Sequence, residues 1–165
     1  MKNIIKINII ALIGIICDQI IKFIITHNMN TYETIKIINN FFNITYVQNE
    51  GAAWSILTGK QFFLIGFAII MIIILNIYLY KNKNIDKLET LMYGLLIGGI
   101  IGNLIDRIIF GYVIDYLDFK IFGYDFPIFN LADILICTSA FILIIKTFIK
   151  GDENEVSSNW RIKRY

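Results

Sequence analysis

The sequence predicts an all-α membrane protein: four transmembrane helices with a small extracytoplasmic segment that contains β-structure. Three observations carry this. Apolar residues form 57% of the 165-residue chain and charged residues only 17%, where a soluble domain averages about 25% charged. Mean hydropathy is +0.67. Four apolar stretches each approach the roughly 20 residues that a helix needs to cross a bilayer.

The four helices are expected at residues 4–25, 62–80, 88–109 and 131–149. The first resembles a signal peptide only superficially. It is too long for that apolar core, is interrupted by Asp18 and Lys22, and lacks a small-residue cleavage site. It reads as a retained helix. Between the first two helices lies FFNITYVQNEGAAWSIL, rich in aromatic and β-branched residues, which reads as one or two short strands followed by a Gly-containing turn. This connection is longer than two helices require, so it is expected to lie on the membrane and cover something. An aromatic belt at the interface is the simpler role for Trp54, Tyr46 and the Phe pair. Residues 1–150 form one integral membrane domain, and residues 151–165 form a charged cytoplasmic tail.

Basic residues choose the orientation. Lys2 and Lys6 flank the first helix, Lys81, Lys83 and Lys87 fill the second connection, and Lys146, Lys150, Arg161, Lys163 and Arg164 follow the fourth helix. The first and third connections hold only Lys36, Lys60 and Lys120, with Arg107 at a helix end. The positive-inside rule then places both termini in the cytoplasm, and residues 26–61, Asp115 and Asp133 outside it.

Composition also excludes several classes. A net charge of +2 with no basic-aromatic stripe gives no reason to expect a nucleic-acid partner. Cys17 and Cys137 both sit inside apolar runs, and His27 is the only histidine, so neither a disulfide nor a zinc site is expected. The chain has no GxSxG, HExxH or P-loop.

Polar residues inside the apolar stretches are the informative ones, because an ionisable group at membrane depth costs roughly 2.5–3.5 kcal/mol unless paired or facing a cavity. In the third helix Gly94, Gly98 and Gly102 repeat every four residues and lead to Asp106. Small residues at that spacing let helices approach closely. A neighbouring row carries Gly99, Asn103 and Arg107, and in the first helix Gly14, Asp18 and Lys22 share a face, so Asp18 and Lys22 can pair. Asp133 follows Asn130, a candidate N-cap, and its charge suits the start of a helix. Pro127 agrees with a chain turning there. Asp115 lies among Val113, Ile114, Tyr116 and Leu117, whereas Asp118 and Asp125 read as ordinary loop carboxylates. Two carboxylates sharing a site hold one proton between them, and such a pair can activate water and protonate a leaving amine. Spacing alone does not bring Asp115 and Asp133 together.

DQIIK at 18–22, VQNEGAAWSIL from Val47, GGIIGNLIDR from Gly98, GYVIDYLDF from Gly111 and FPIFNLAD from Phe126 together resemble the signature segments of lipoprotein signal peptidase, or signal peptidase II. The resemblance covers nearly the whole chain outside the tail. It implies an aspartic endopeptidase of the bacterial inner membrane that removes signal peptides from prolipoproteins, cutting before a cysteine that carries diacylglycerol. Asp115 and Asp133 match the catalytic acids. Asn103, Asp106, Arg107, Asn130 and Ala132 match supporting positions, as do Asp18, Lys22, Asn49 and Gly51. No cofactor is implied, and the expected partners are diacylglyceryl-modified prolipoproteins and membrane lipids, with the enzyme a monomer. Two departures are visible: Trp54 and Tyr116 stand where the family usually has Phe. A small transporter or assembly factor is the rival reading, but it would need a polar relay across the full thickness. A different intramembrane aspartic protease is disfavoured by the absence of GxGD.

Overall fold

Helix α3 (Lys87–Ile109) is the element around which the others are arranged, and its glycines are the reason. In the computed structural model, which describes residues 2–52, 56–82 and 84–162, a Cβ on Gly98 would stand 2.9 Å from the Ala11 carbonyl oxygen of α1 (Lys2–Asn28). One on Gly94 would meet Ile10 at 2.6 Å. Gly99 faces the other way, where a Cβ would be 2.5 Å from the Ala132 carbonyl oxygen of α4 (Leu131–Ile162). Gly94 and Gly98 therefore serve α1, and Gly99 serves α4. Helix α2 (Gln61–Lys81) packs on α3 as well.

Among the described residues, four helical segments, Asn3–Asn28, Gln61–Lys81, Lys87–Ile109 and Leu131–Ile149, are long and apolar enough to cross a membrane. They agree with the expected spans to within a few residues. The α4 backbone continues past 149 into the charged segment, through Ile162. At one end of the bundle α3 starts with a capping box, in which the Asp86 side chain accepts from the Glu89 N–H and the Glu89 side chain from the Asp86 N–H. Lys146 of α4 pairs with Asp86 and, at 3.3 Å, with Glu89, which ties the two helices together there.

At the other end stands a four-stranded antiparallel sheet in the order β1 (Thr34–Ile38), β2 (Phe42–Asn49), β3 (Val113–Ile121) and β4 (Tyr124–Asp125). Strand β2 answers the expectation for FFNITYVQNEGAAWSIL, while β1 lies before that segment in the same connection. Strand β3 answers none, since the segment after α3 was expected to be a connecting loop. Apolar residues on both of its faces hide the alternation that marks a half-buried strand. Val113 and Asp115 point to one side, while Ile114 and Tyr116 pack on the other with Ile25, Met29 and Tyr46. Asp118 is accordingly not a loop carboxylate. It sits in β3, where it accepts from Thr45 Oγ1 at 2.7 Å and Asn43 Nδ2 at 3.2 Å. Asp125 is exposed and pairs with Lys120 at 3.1 Å. Trp54 lies outside the described residues.

The glycine contacts lead to a stability prediction. Ala132 contributes backbone, which cannot swing aside, so Gly99→Ala should lower the melting temperature; overpacking of this kind costs about 1–3 kcal/mol. Gly66 has nothing within 4 Å of the position a Cβ would take, so Gly66→Ala should leave the melt unchanged or slightly raised. Equal melts for the two variants would show that the α3–α4 approach is not as close as described.

Candidate active site

Lys22 is almost wholly buried, at 1% exposure, and each of its three N–H bonds has an acceptor. Its Nζ lies 2.9 Å from Asp18 Oδ2, 2.7 Å from Asp106 Oδ2 and 2.9 Å from Asn103 Oδ1. The expected Asp18–Lys22 pair is present, and α3 supplies the other two partners. Gln19 adds a link that the sequence reading did not assign: its Nε2 donates to Asp106 Oδ1 at 2.9 Å and to the Gly102 carbonyl at 3.2 Å. Its place beside Asp18 in DQIIK was the only available signal.

Both acids of this cluster also hold backbone. The Ile114 N–H at the start of β3 donates to Asp106 Oδ2 at 3.1 Å, and the Ala132 N–H in the first turn of α4 donates to Asp18 Oδ1 at 3.0 Å. Ala132 therefore contributes its amide, and its small side chain lets Gly102 come near.

Two amides carry the arrangement onward. Lysine can only donate, so Asn103 must turn its oxygen toward Lys22 and its Nδ2 outward, where it meets Asp133 Oδ1 at 2.7 Å. Asn130 Oδ1 accepts the Asp133 N–H at 3.0 Å, and the Asn130 N–H donates to Asp133 Oδ2 at 3.2 Å. This reciprocal cap is the one expected at the start of α4, and it points Asn130 Nδ2 at Asp115 Oδ1, 2.7 Å away. The same Nδ2 reaches Asn103 Oδ1 at 3.1 Å. The second Asp115 oxygen accepts from Asn49 Nδ2 at 2.8 Å. Asn49 is oriented by the Gly51 N–H, which donates to its Oδ1 at 2.9 Å. In the ladder Asn49 opposes Val113, which puts it diagonal to Asp115.

Arg107 stands on the Asn103 row of α3 and reaches across to the loop after β2, where Nη2 donates to the Gly51 carbonyl at 3.0 Å. Gln61 Nε2 holds the adjoining Glu50 carbonyl at 2.6 Å. Arg107 Nε is buried without an acceptor.

Asp115 and Asp133, with Asn49, Asn103 and Arg107, line one end of a cavity of about 720 Å³. Its remaining walls are almost all apolar, including Leu64, Phe67 and Met71 of α2 and Ile134, Ile136 and Cys137 of α4. Burial is the first cause that pushes the Asp115 carboxyl up to about 7, and the Asp133 charge is the second; hydrogen bonds from Asn49 and Asn130 pull the other way. The residues matched above as catalytic or supporting thus join one network, with two acids open to a greasy cavity.

The family model for signal peptidase II matches residues 10–149. This chain belongs to that family. A lipoprotein signal peptidase of Halothermothrix orenii is 47% identical over 137 residues, which cover 83% of this chain and 91% of the relative. Two solved structures described as a bacterial membrane enzyme, obtained in meso at 2.3 Å and 1.9 Å resolution, are each 40% identical. The first has a TM-score of 0.79 and covers 88% of both chains; the second has a TM-score of 0.74 and covers 84% of this chain and 90% of its own. Membership of the signal peptidase II family, with the four apolar helices, makes this a multi-pass bacterial membrane protease that removes signal peptides from prolipoproteins.

Proposed function

We propose that Asp115 and Asp133 form an aspartic dyad that hydrolyses the bond before a diacylglyceryl-modified cysteine. The observation that carries this reading is the pair of carboxylates opening onto one apolar cavity, each held by amide donors. Asp133 lies in the first turn of α4, where the helix dipole favours its anion. Asp115 holds the shared proton. Asp133 accepts a proton from a water placed between the two acids, and that water attacks the scissile carbonyl. Asp115 donates its hydrogen to the developing oxyanion, and the dyad then returns a proton to the departing amine. No acyl-enzyme forms. Arg107 keeps its proton throughout and orients the loop and the substrate.

The apolar walls suit a helical signal peptide and acyl chains better than a long polar sequence. A buried methylene contributes about 0.8 kcal/mol of anchoring, so the lipid can fix the adjacent peptide bond at the level of the acids. Asp115→Asn and Asp133→Asn should each abolish cleavage of a diacylglyceryl-modified precursor while leaving the fold intact. The same precursor without its lipid should be cut at least tenfold more slowly by the wild type, the order of effect expected from lost positioning. Turnover by either Asn variant would defeat the dyad, and equal rates on both precursors would defeat lipid guidance.

The distribution of lysine and arginine supports a cytoplasmic-membrane protein with both termini inside and the sheet and cavity end outside. A monomer suffices for the chemistry, because every member of the network comes from one chain. In a variant lacking Cys17 and Cys137, a cysteine at Thr31 should react with an impermeant thiol reagent from outside, and one at Lys81 only after the membrane is opened. The opposite labelling would reverse the orientation.

The pH dependence follows from Asp115. Its carboxyl is raised to about 7, so a rising pH removes the shared proton and leaves two carboxylates. The value of kcat/KM should fall as pH passes through about 7 upward. The Asn49 hydrogen bond lowers the affinity of Asp115 for its proton, so Asn49→Ala should move this alkaline limb to higher pH. A limb that moves downward, or stays in place, would separate Asp115 from the titrating group.

A further inference from the structure

Helices α1 and α2 both pack on α3, and at the end of the bundle away from the sheet a cleft of about 370 Å³ opens between them. Its walls are Ile4 and Asn8 of α1 and Asn76, Ile77, Leu79 and Tyr80 of α2. Leu79 reaches inward to the core cluster of Ile7 and Ile85, while Asn8, Asn76, Ile77 and Tyr80 stand exposed. Two carboxamides on a lipid-facing surface need an explanation. Asn76 interrupts an otherwise apolar run from Phe62 to Ile77. One of its N–H bonds turns back to the Ile72 carbonyl at 2.8 Å, which leaves the other N–H and the oxygen unused. Asn8 makes no side-chain hydrogen bond among the described residues. Lipid tails offer neither amide a partner.

Depth and width select the partner. Both amides lie about five residues inside the span ends Asn3 and Lys81, a depth of about 7.5 Å at 1.5 Å per residue. The headgroup layer on each side of a bilayer is roughly 5–7 Å thick, so they meet the level at which a phospholipid carries its ester carbonyls. Tyr80 suits the same boundary. Lys81 follows Ile77 on the same face of α2, one turn closer to the water. A neighbouring helix is too bulky for the cleft, since two turns of one occupy roughly 850 Å³. An acyl chain is a single file of methylene groups.

We propose that this cleft binds one anionic phospholipid of the cytoplasmic leaflet, its ester carbonyls meeting the Asn8 and Asn76 amides, its phosphate beside Lys81 and an acyl chain along Ile4 and Ile77. The choice of leaflet rests on the orientation argued above. Basic pockets between transmembrane helices on the cytoplasmic side favour such headgroups, whereas Lys81 repels the positively charged start of a signal peptide. Bound there, the lipid bridges α1 and α2. Helix α2 also carries Leu64, Phe67 and Met71 of the large cavity, so the contact braces that wall from its far end.

The test titrates the purified full-length protein in a neutral detergent with phosphatidylglycerol and counts retained lipid by native mass spectrometry. One lipid should bind. Phosphatidylcholine with the same chains should bind roughly fivefold more weakly, the effect of about one charge contact. Lys81→Gln should weaken phosphatidylglycerol by that factor and leave phosphatidylcholine unchanged. The double variant Asn8→Leu, Asn76→Leu should weaken both lipids roughly tenfold, the loss of about one or two hydrogen bonds. Ether-linked phosphatidylglycerol, which has no ester carbonyl, should bind the wild type equally poorly, and inorganic phosphate should not compete. The Leu pair suits a lipid-facing surface and should melt as the wild type does in detergent alone; should it fail to fold, the ether-linked lipid decides. Undiminished binding by the Leu pair, equal binding of ester and ether lipids or of the two headgroups, or displacement by inorganic phosphate overturns the proposal. So does a wild-type dimer that the Leu pair returns to monomer, which would give the cleft to a second copy. Reversed thiol labelling at Thr31 and Lys81 would instead defeat the orientation, and with it the leaflet, while the titration judges the cleft itself.

Discussion

An ammonium ion held away from water needs an acceptor for each of its N–H bonds, and Lys22 meets that need with groups from two helices. The polar network that reaches the cavity follows from this requirement. It fixes Asn103 with its oxygen inward, and so gives Asp133 an N–H donor. It draws Asp18 and Asp106 together, where each also receives a backbone N–H from a different element. One cation therefore joins α1, α3, the start of β3 and the start of α4. Removing one partner of such a buried group costs about 3–5 kcal/mol, because the remaining charge is left uncompensated.

The network can close only because the helices come very near one another. Lipid tails are as apolar as leucine side chains, so burial of apolar surface gives helices in a membrane little reason to associate. Close backbone contact and hydrogen bonding must supply that reason. The glycines of α3 provide the contact on two faces, and Gly102 leaves room for Asp18, whose Oδ2 would lie 2.6 Å from a Cβ placed there. Packing and polar satisfaction are thus one arrangement. The outer faces carry exposed large apolar residues such as Phe62, Ile70 and Ile73, as a lipid-facing surface requires.

The division between what could be read and what could not is physical. The helices were legible because their signal is local, a run of apolar side chains of the right length. The Asp18–Lys22 pair, the glycine rows and the Asn130 cap were legible for a related reason: helical geometry converts a spacing of three or four residues into proximity. Strand β3 escaped because Val113 to Tyr116 are buried on both faces, which erases the period of two. Asp118 was misplaced with it, since a carboxylate between Leu117 and Phe119 looks solvated until Thr45 and Asn43 are seen across the ladder. Gln19 left no trace in spacing, as its partners Asp106 and Gly102 lie on another element.

The sequence by itself determined four apolar helices, the membrane class, and the residues worth watching, through composition and short-range periodicity. The resemblance of its motifs added the family. Only the tertiary structure decided that Asp115 and Asp133 open onto one cavity, that Arg107 turns to Gly51, and that Lys22 draws Asp18, Asp106 and Asn103 together. These are contacts between elements far apart in the chain. They depend on how closely helices can approach and on which donors remain once each buried acceptor has been satisfied, and no local pattern records either.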